Sequence, residues 1–467
     1  MIHLFHLAVN HFERKNSMSR FVNLLAALVS IGLVLARSIL FKDSIVLTIL
    51  LIVVLIGLAW LHRSSKNRFF YLGLISAGLM SIYLTFPTPW IWFVGQVVTI
   101  ILSALVIMSL STKKNYLTWL KAGVCGLISL LLVTISYQAV DPTLFLSYYQ
   151  ASTPTTNSFE PNSELTLNFG DQFEHQKDIA YATEYPRSFL DIIRHKGADS
   201  RERPTYVFFH GGGFIAGDKM SGDPNAKGEE NGELIYFKQV LDMGYNLVSI
   251  NYALAPEYKN PVPVIQASQA LAYLQEHQEE LGISTNQLIF AGSSAGANLV
   301  GNFITAQLNP DHAKTLGLEP VLSKSQIKAL VLEAPALDPS RTSRTVQSSA
   351  LHNYIFGQSL ASYTQQSQIA LDDDFVAKNN LISLITADFP PTLLTEGNYG
   401  SFGDQAQDYH QRLTALGVPS TLFIPDQQTY GKQPHAFFTA DATSQASKDY
   451  YRLKAEFFKT LDEKSSE

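Results

Sequence analysis

The residues best suited to chemistry lie in two glycine-rich stretches about eighty residues apart. The second stretch, Gly292–Gly296, has the pattern Gly-x-Ser-x-Gly with Ser294 at its centre. It follows the apolar run 287–291, which is typical of a buried strand, and precedes the run 297–304, which is typical of a helix. A strand, a sharp turn and a helix around this pattern indicate a nucleophile elbow, because flanking glycines leave room for a strained serine.

The first stretch, His210-Gly211-Gly212-Gly213-Phe214, also follows a predicted strand, at 205–209. Its glycines allow backbone N–H groups to point at a substrate oxygen, and His210 is interpreted as a structural brace of this loop. A single Gly-x-Ser-x-Gly pattern arises by chance in many unrelated chains. The glycine-rich stretch and the Gly-x-Ser-x-Gly pattern together, each after its own strand and in this order, indicate a serine nucleophile that faces an oxyanion-binding loop.

Together with three further segments, these motifs resemble the hormone-sensitive-lipase-like branch of the α/β-hydrolase fold. The further segments are Asn251–Glu257, Pro390–Leu394 and Pro434–Phe437. The resemblance covers roughly residues 165 to 460, and Ala253 departs from it because the family form has arginine there. It implies a mostly parallel sheet flanked by helices and an esterase or lipase activity.

A serine hydroxyl needs a base within hydrogen-bond reach, and in this fold the chain order is serine, acid, histidine. His435 is the last histidine of the chain and follows the predicted strand 420–424 by a loop, as the base should. The resemblance implies that the N–H groups of Gly211, Gly212 and Ala295 meet the oxyanion. Ser294 and His435 are therefore the predicted nucleophile and base.

The sequence offers several candidates for the acid of the predicted triad. The family places an aspartate three residues after the glycine that ends a strand, and this chain has Gly400 at that position. Asp404 follows four residues later and matches a second aspartate of the family, so a reshaped loop that brings it to His435 is the favoured hypothesis. Glu396 at the strand end, Asp408 one turn further on, and no acid at all remain as alternatives.

Apolar strand-like runs alternate with helical stretches through the rear of the chain, which predicts parallel βαβ units and a sheet covered on both faces. Residues 339–385 are expected to form lid-like helices. The predicted strands are 188–193, 205–209, 245–250, 287–291, 328–333, 391–396 and 420–424, and the predicted helices 234–243, 262–280, 297–308, 404–416 and 446–461.

The front of the chain differs sharply in composition from the rear. Residues 1–140 contain eleven Lys and Arg against two acidic residues, whereas the remaining residues contain 23 basic and 38 acidic ones. Apolar runs long enough to cross a bilayer, which takes about 20 residues each, fill the front. They cover roughly 21–40, 44–62, 69–86, 89–110 and 118–139. We therefore predict an all-α transmembrane region of about five helices over 1–140, and four or six spans remain alternatives.

Basic residues precede the first run, separate the second from the third, and separate the fourth from the fifth. This bias predicts a cytoplasmic N-terminus, and an odd number of spans then places the hydrolase domain outside the cell. The segment 141–164 is rich in Ser, Thr, Pro and Asn and is interpreted as a stalk before a catalytic domain at 165–467. The only cysteine, Cys125, lies within the fifth run, so the rear has no thiol nucleophile.

The sequence thus predicts a multi-pass membrane protein with an extracellular serine carboxylesterase domain for short acyl or acetyl esters. An acyltransferase that modifies a surface glycan or lipid is one alternative, and a non-catalytic sensor or scaffold with a decayed hydrolase domain is another. No cluster of His, Cys and carboxylates has metal-ligand spacing, so neither a metal nor a cofactor is expected. The acidic rear argues against a nucleic-acid partner, whose phosphates require a basic surface.

Overall fold

The computed structural model describes Asn157 and residues 168–220, 232–347, 350–364 and 371–465. The five predicted membrane spans and nearly all of the predicted stalk lie outside these residues. Within the described ranges, no helix is long and apolar enough to cross a membrane.

A single eight-stranded sheet forms the centre of the described part of the chain, with strand order β1-β2-β4-β3-β5-β6-β7-β8. The strands are β1 Phe173–Ala180, β2 Phe189–His195, β3 Thr205–Phe209, β4 Asn246–Ile250, β5 Leu288–Ser293, β6 Ile327–Glu333, β7 Thr392–Thr395 and β8 Ser420–Phe423. Strand β2 pairs antiparallel with β1 and β4, and every pair from β4 to β8 is parallel. The predicted mostly parallel sheet is confirmed.

Helices cover both faces of this sheet. They are α1 Gly232–Asp242, α2 Val262–Leu281, α3 Ala295–Leu308, α4 Pro310–Leu316, α5 Ala350–Thr364, α6 Asp373–Asn379, α7 Gly403–Ala415, α8 Gln427–Tyr430, α9 Phe437–Ala440 and α10 Gln445–Ser465. Short 3-10 turns occupy Ala198–Glu202, Lys324–Gln326 and Pro339–Arg341. One apolar core packs α2, α3, α4 and α7 against the sheet, and a second packs α1, α9 and α10 against the opposite face.

The seven predicted strands and five predicted helices are all present, with ends shifted by a few residues. The parallel strands β3, β4 and β5 were recognisable because they are buried along their whole length and therefore read as continuous apolar runs. Strand β1 was missed because it is a half-exposed edge strand with the polar sequence FEHQKDIA. The helices expected within 339–385 are present as α5 and α6.

Candidate active site

Ser294 lies at the turn between β5 and α3, at the carboxyl end of the central strands. Its backbone has φ 54 and ψ −114, a strained conformation for a residue with a side chain. The turn is fixed by the Ser294 N–H, which donates to the Glu333 carbonyl at 2.8 Å. A Cβ atom on Gly296 would lie 2.0 Å from the Phe209 carbonyl oxygen, so only glycine lets α3 approach β3 this closely. The predicted nucleophile elbow is therefore present in the geometry.

His435 lies in the loop between α8 and α9 and faces Ser294. Its Nε2 atom is 2.8 Å from the Ser294 Oγ atom, which is hydrogen-bond distance. Two aromatic rings flank the imidazole, with centroid distances of 4.8 Å to Phe356 and 5.3 Å to Phe402. These contacts fix the plane of the imidazole, and the structure brings the two residues together as the sequence predicts.

The carboxylate that contacts His435 belongs to Glu396, the residue directly after β7. Its Oε2 atom lies 3.1 Å from the His435 Nδ1 atom, and its side chain is fully buried. The same carboxylate accepts the backbone N–H groups of Gly397 at 2.7 Å and Phe402 at 3.0 Å. Three donors thus converge on one buried carboxylate and fix its position against the imidazole.

Asp404 has a different partner, so the expectation that it contacts His435 is corrected. Its Oδ2 atom accepts from the Arg341 Nη1 atom at 3.1 Å, and Asp408 accepts from the same nitrogen at 2.7 Å. Both carboxylates lie on α7, whose first turn begins beyond the loop that follows Glu396. They form a partly exposed ion-pair cluster with Arg341.

The loop from 397 to 402 explains why the acid does not lie where the resemblance places it. Gly400 has φ +55, and a Cβ atom there would lie 2.1 Å from the His352 Nδ1 atom. The Gly400 N–H donates to the Val346 carbonyl at 2.8 Å, which ties the loop to the segment before α5. Any side chain at position 400 would therefore displace its neighbours, and the loop instead closes around Glu396.

The glycine-rich loop after β3 lies against the elbow. A Cβ atom on Gly211 would be 3.4 Å from the Ser294 Cβ atom, so this backbone borders the nucleophile directly. Gly212 has φ +114, a conformation that side chains rarely adopt. Gly211 and Ala295 therefore border Ser294, and Gly212 follows Gly211 directly in the chain.

His210 contacts this loop in the way expected of a structural brace. Its Nδ1–H donates to the Gly211 carbonyl at 2.7 Å, and its ring stacks on Tyr252 at a centroid distance of 4.2 Å. Burial, and after it the nearby Arg187 guanidinium, lowers the pKa of His210 to about 3. The imidazole is therefore neutral and only weakly basic at ordinary pH, which suits a structural role in this loop.

Helix α5 covers the site. Phe356 contacts the His435 ring, Ser359 packs against Gly213, and Tyr363 stacks on Phe214 with ring centroids 3.9 Å apart. Contacts to both the imidazole and the glycine-rich loop place this helix above the nucleophile. A lid over the site was predicted, but the phenylalanine that it contributes was not.

A buried ion pair behind the elbow was missed by sequence reasoning. The Glu333 carboxylate accepts from Lys454 at 3.1 Å, from Tyr236 at 2.6 Å and from Tyr450. Burial lowers the pKa of Lys454 to about 8 even though Glu333 raises it. The only available sequence signal was an acid ending an otherwise apolar strand, because the partners of this pair lie far apart in the chain.

Comparisons with known proteins identify the family of this chain. A family model described as alpha/beta hydrolase fold matches residues 206–439. Esterase LipI of Mycobacterium tuberculosis is 23% identical over 256 residues, which cover 55% of this chain and 74% of the relative. Hormone-sensitive lipase of Ictidomys tridecemlineatus is 32% identical over 117 residues, or 25% of this chain and 14% of the relative.

The crystal structure of esterase B from Lactobacillus rhamnosis has a similar fold, with a TM-score of 0.51 at 17% identity. The match covers 63% of this chain and 88% of that one. The chain therefore belongs to the α/β-hydrolase family and is an enzyme of its esterase and lipase type.

Proposed function

We propose that this protein is a membrane-anchored serine carboxylesterase that hydrolyses short acyl or acetyl esters with the triad Ser294, His435 and Glu396. The observation that carries the proposal is the continuous hydrogen-bonded series from the Ser294 Oγ through the imidazole to a buried carboxylate, with distances of 2.8 and 3.1 Å. Nucleophile, base and orienting acid are the three roles that acyl transfer through a serine requires.

In the acylation step, His435 Nε2 takes the Ser294 proton while Oγ attacks the ester carbonyl carbon. The resulting imidazolium keeps its Nδ1–H directed at Glu396, whose negative charge stabilises the new positive charge. The backbone N–H groups of Gly211, Gly212 and Ala295 stabilise the oxyanion, each contributing roughly a hundred- to thousandfold in rate. The imidazolium then protonates the leaving alcohol, and the acyl group stays on Ser294.

In the deacylation step, water attacks the acyl-enzyme while the same imidazole removes its proton. Collapse of the second tetrahedral intermediate releases the carboxylic acid and returns the proton to Ser294. Throughout both steps Glu396 accepts the His435 Nδ1–H and so holds the imidazole in place, while the N–H groups of Gly397 and Phe402 hold the carboxylate.

The preference for short acyl groups rests on the side chains around the elbow. Phe214, Ile215, Leu360 and Tyr363 pack into one buried apolar cluster with Ala295. This packing places large apolar side chains against Ala295, the residue that follows the nucleophile. The relatives that bear esterase names are consistent with this substrate class.

Purified full-length protein in detergent tests the proposal with a series of p-nitrophenyl esters from acetate to long acyl chains. We expect the highest kcat/KM for the short esters and stoichiometric labelling of Ser294 by a fluorophosphonate. A folded protein that neither hydrolyses an ester nor reacts with the label would exclude the enzyme and favour the scaffold alternative. Acyl transfer to an added alcohol in preference to water would favour the acyltransferase.

Membrane anchoring and orientation form a separate part of the proposal. Five apolar runs and the positive charges between them support a multi-pass anchor over residues 1–140 with the N-terminus in the cytoplasm. Protease added to intact cells is then expected to remove the hydrolase domain while an N-terminal tag stays protected. Digestion of the tag with protection of the hydrolase would reverse the orientation.

A further inference from the structure

Arg187 is a buried cation close to the glycine-rich loop that the mechanism leaves unused. Its side chain is 1% exposed, although guanidinium groups in proteins remain charged. Its backbone has φ 59, a region that non-glycine residues occupy when surrounding contacts hold them there. A buried charge needs hydrogen-bond acceptors or an opposite charge to replace water. The partners of Arg187 therefore indicate its role.

The guanidinium connects the end of the glycine-rich loop to the chain beyond β4. Its Nη2 atom donates to the Gly217 carbonyl at 2.6 Å and to the Asn251 Oδ1 atom at 3.3 Å. Its Nε atom donates to the Tyr252 carbonyl at 3.1 Å. Asp218, at 3.9 Å, supplies the opposite charge. The planar guanidinium has N–H groups in fixed directions and can donate to all of these acceptors, whereas a lysine ammonium cannot reach all of them at once.

Gly217 and Tyr252, which both accept from Arg187, also contact the backbone or side chain of the pair His210 and Gly211. A Cβ atom on Gly217 would lie 2.3 Å from the Gly211 carbonyl oxygen and 2.4 Å from the His210 Nδ1 atom, so Gly217 packs tightly on that pair. The Tyr252 hydroxyl donates to the His210 carbonyl at 2.7 Å, and the two rings stack. Arg187 therefore holds two groups that together enclose His210 and Gly211.

Enclosure of the Gly211 carbonyl determines where the next N–H points. The C=O and N–H groups of one trans peptide point in opposite directions. Because the Gly211 carbonyl is directed at the His210 Nδ1–H, the Gly212 N–H is directed away from His210. A shift of Gly217 or Tyr252 would disturb the contacts that hold His210 and Gly211, and with them the orientation of this peptide.

We propose that Arg187 is a positioning residue for the oxyanion-binding loop, fixing the direction of the Gly212 N–H through Gly217, Tyr252 and His210. The inference rests on the proposed function, since it assigns to this N–H a role in stabilising the oxyanion. It predicts that replacing Arg187 weakens the stabilisation of the transition state and leaves the binding of the ester unchanged.

The test compares Arg187→Met with the unmodified full-length protein on p-nitrophenyl acetate, with rates divided by the number of fluorophosphonate-reactive sites. Loss of one donor costs about 10²–10³ in kcat, so its misplacement is expected to lower kcat about 10- to 100-fold with KM within about threefold. The affinity of a trifluoromethyl ketone, which forms a tetrahedral adduct on the serine, should fall by the same factor as kcat/KM.

Two further variants keep the outcome decisive. Arg201→Met serves as the matched control, because Arg201 is a 57% exposed arginine that pairs with Glu279, and it should leave every value unchanged. Arg187→Lys keeps the charge without the planar guanidinium and should give an intermediate loss, which remains measurable if Arg187→Met does not fold.

The inference is overturned if Arg187→Met, or a folded Arg187→Lys in its place, retains the kcat per labelled site and the ketone affinity of the unmodified protein. A smaller number of labelled sites with unchanged kcat would show a contribution to folding alone, which also overturns it. Failure of the proposed function is distinguishable, because the unmodified protein would then hydrolyse no ester at all.

Discussion

Replacing Glu396 by glutamine is the most direct test of the proposed triad. In the native site Oε1 accepts the Gly397 N–H, whereas Oε2 accepts both the Phe402 N–H and the His435 Nδ1–H. A glutamine amide has only one acceptor oxygen. If its NH₂ group replaces Oε2, that group faces the Phe402 N–H and the His435 Nδ1–H. Because NH₂ donates, Nδ1 must become the acceptor, and the imidazole proton moves to Nε2. That tautomer cannot accept the serine proton.

The opposite orientation of the amide also lowers activity. The NH₂ group then opposes the Gly397 N–H, and the oxygen that remains at His435 carries no charge to stabilise the imidazolium. A hydrogen bond to a charged group contributes about 1.5–3 kcal/mol, which corresponds to a loss of roughly 10- to 150-fold. The wrong tautomer costs up to about 10⁴ in serine proteases, or about 5.4 kcal/mol. We therefore expect Glu396→Gln to lower kcat by at least about tenfold and by up to about 10⁴.

The assay measures kcat and KM with p-nitrophenyl acetate, with active sites counted by fluorophosphonate labelling and folding checked by near-UV circular dichroism. Asp404→Asn is the matched control, because this carboxylate is 39% exposed and paired with Arg341, and it should change kcat less than about threefold. A folded Glu396→Gln variant with kcat within about tenfold of the unmodified protein, together with a crippled Asp404→Asn variant, would refute the assignment.

Four other outcomes follow from the same structure. Ser294→Ala should abolish labelling and lower kcat at least as far as Glu396→Gln, and the double variant should be little worse than Ser294→Ala because the triad acts as a unit; additive losses would contradict this. Gly212→Ala should lower kcat at least about a hundredfold, since its φ is +114 and the added Cβ would lie 2.2 Å from a carbonyl oxygen. Gly400→Asp should not rescue Glu396→Gln, because its Cβ would lie 2.1 Å from a histidine ring nitrogen; recovered esterase activity would show that the loop can accept the family's acid. The pKa of His210 is lowered to about 3, so the stability that its neutral form contributes is present above about pH 6.5 and lost as the pH falls towards 3. Urea unfolding of the hydrolase domain should therefore show His210→Gln losing less stability than the unmodified protein between about pH 6.5 and 4, by up to about 3 kcal/mol; parallel curves would contradict the assignment.

The parts of the site that sequence reasoning located are those determined by local chain geometry. Ser294 and the glycines around it form a motif whose strand, turn and helix are consecutive in the chain. His435 was found from its order after the last parallel strand. The brace role of His210 followed from its place in the glycine-rich loop. Each of these predictions needed only neighbouring residues and the chain order of the fold.

The parts that sequence reasoning missed depend on contacts between distant segments. The Arg187 contacts join residues 30 to 65 positions apart, and Lys454 meets Glu333 across 121 positions. No periodicity or spacing reports such pairs. The Phe356 contact with His435 belongs to the same class, because it depends on how α5 packs over the sheet.

The acid shows that a motif can give the wrong residue even where the chemical role that it predicts is present. The imidazole requires a carboxylate oxygen at Nδ1, and it places no condition on which backbone position supplies it. Glu396 lies at the strand end, and its side chain is one methylene longer than that of aspartate, so it can reach the imidazole from there. Gly400, with its left-handed backbone and its bond to Val346, lets the following loop fold back so that Phe402 donates to the same carboxylate. The loop that lacks the expected aspartate thus supplies the donors that stabilise the glutamate, and the missing acid is evidence for a relocated triad rather than for a decayed one.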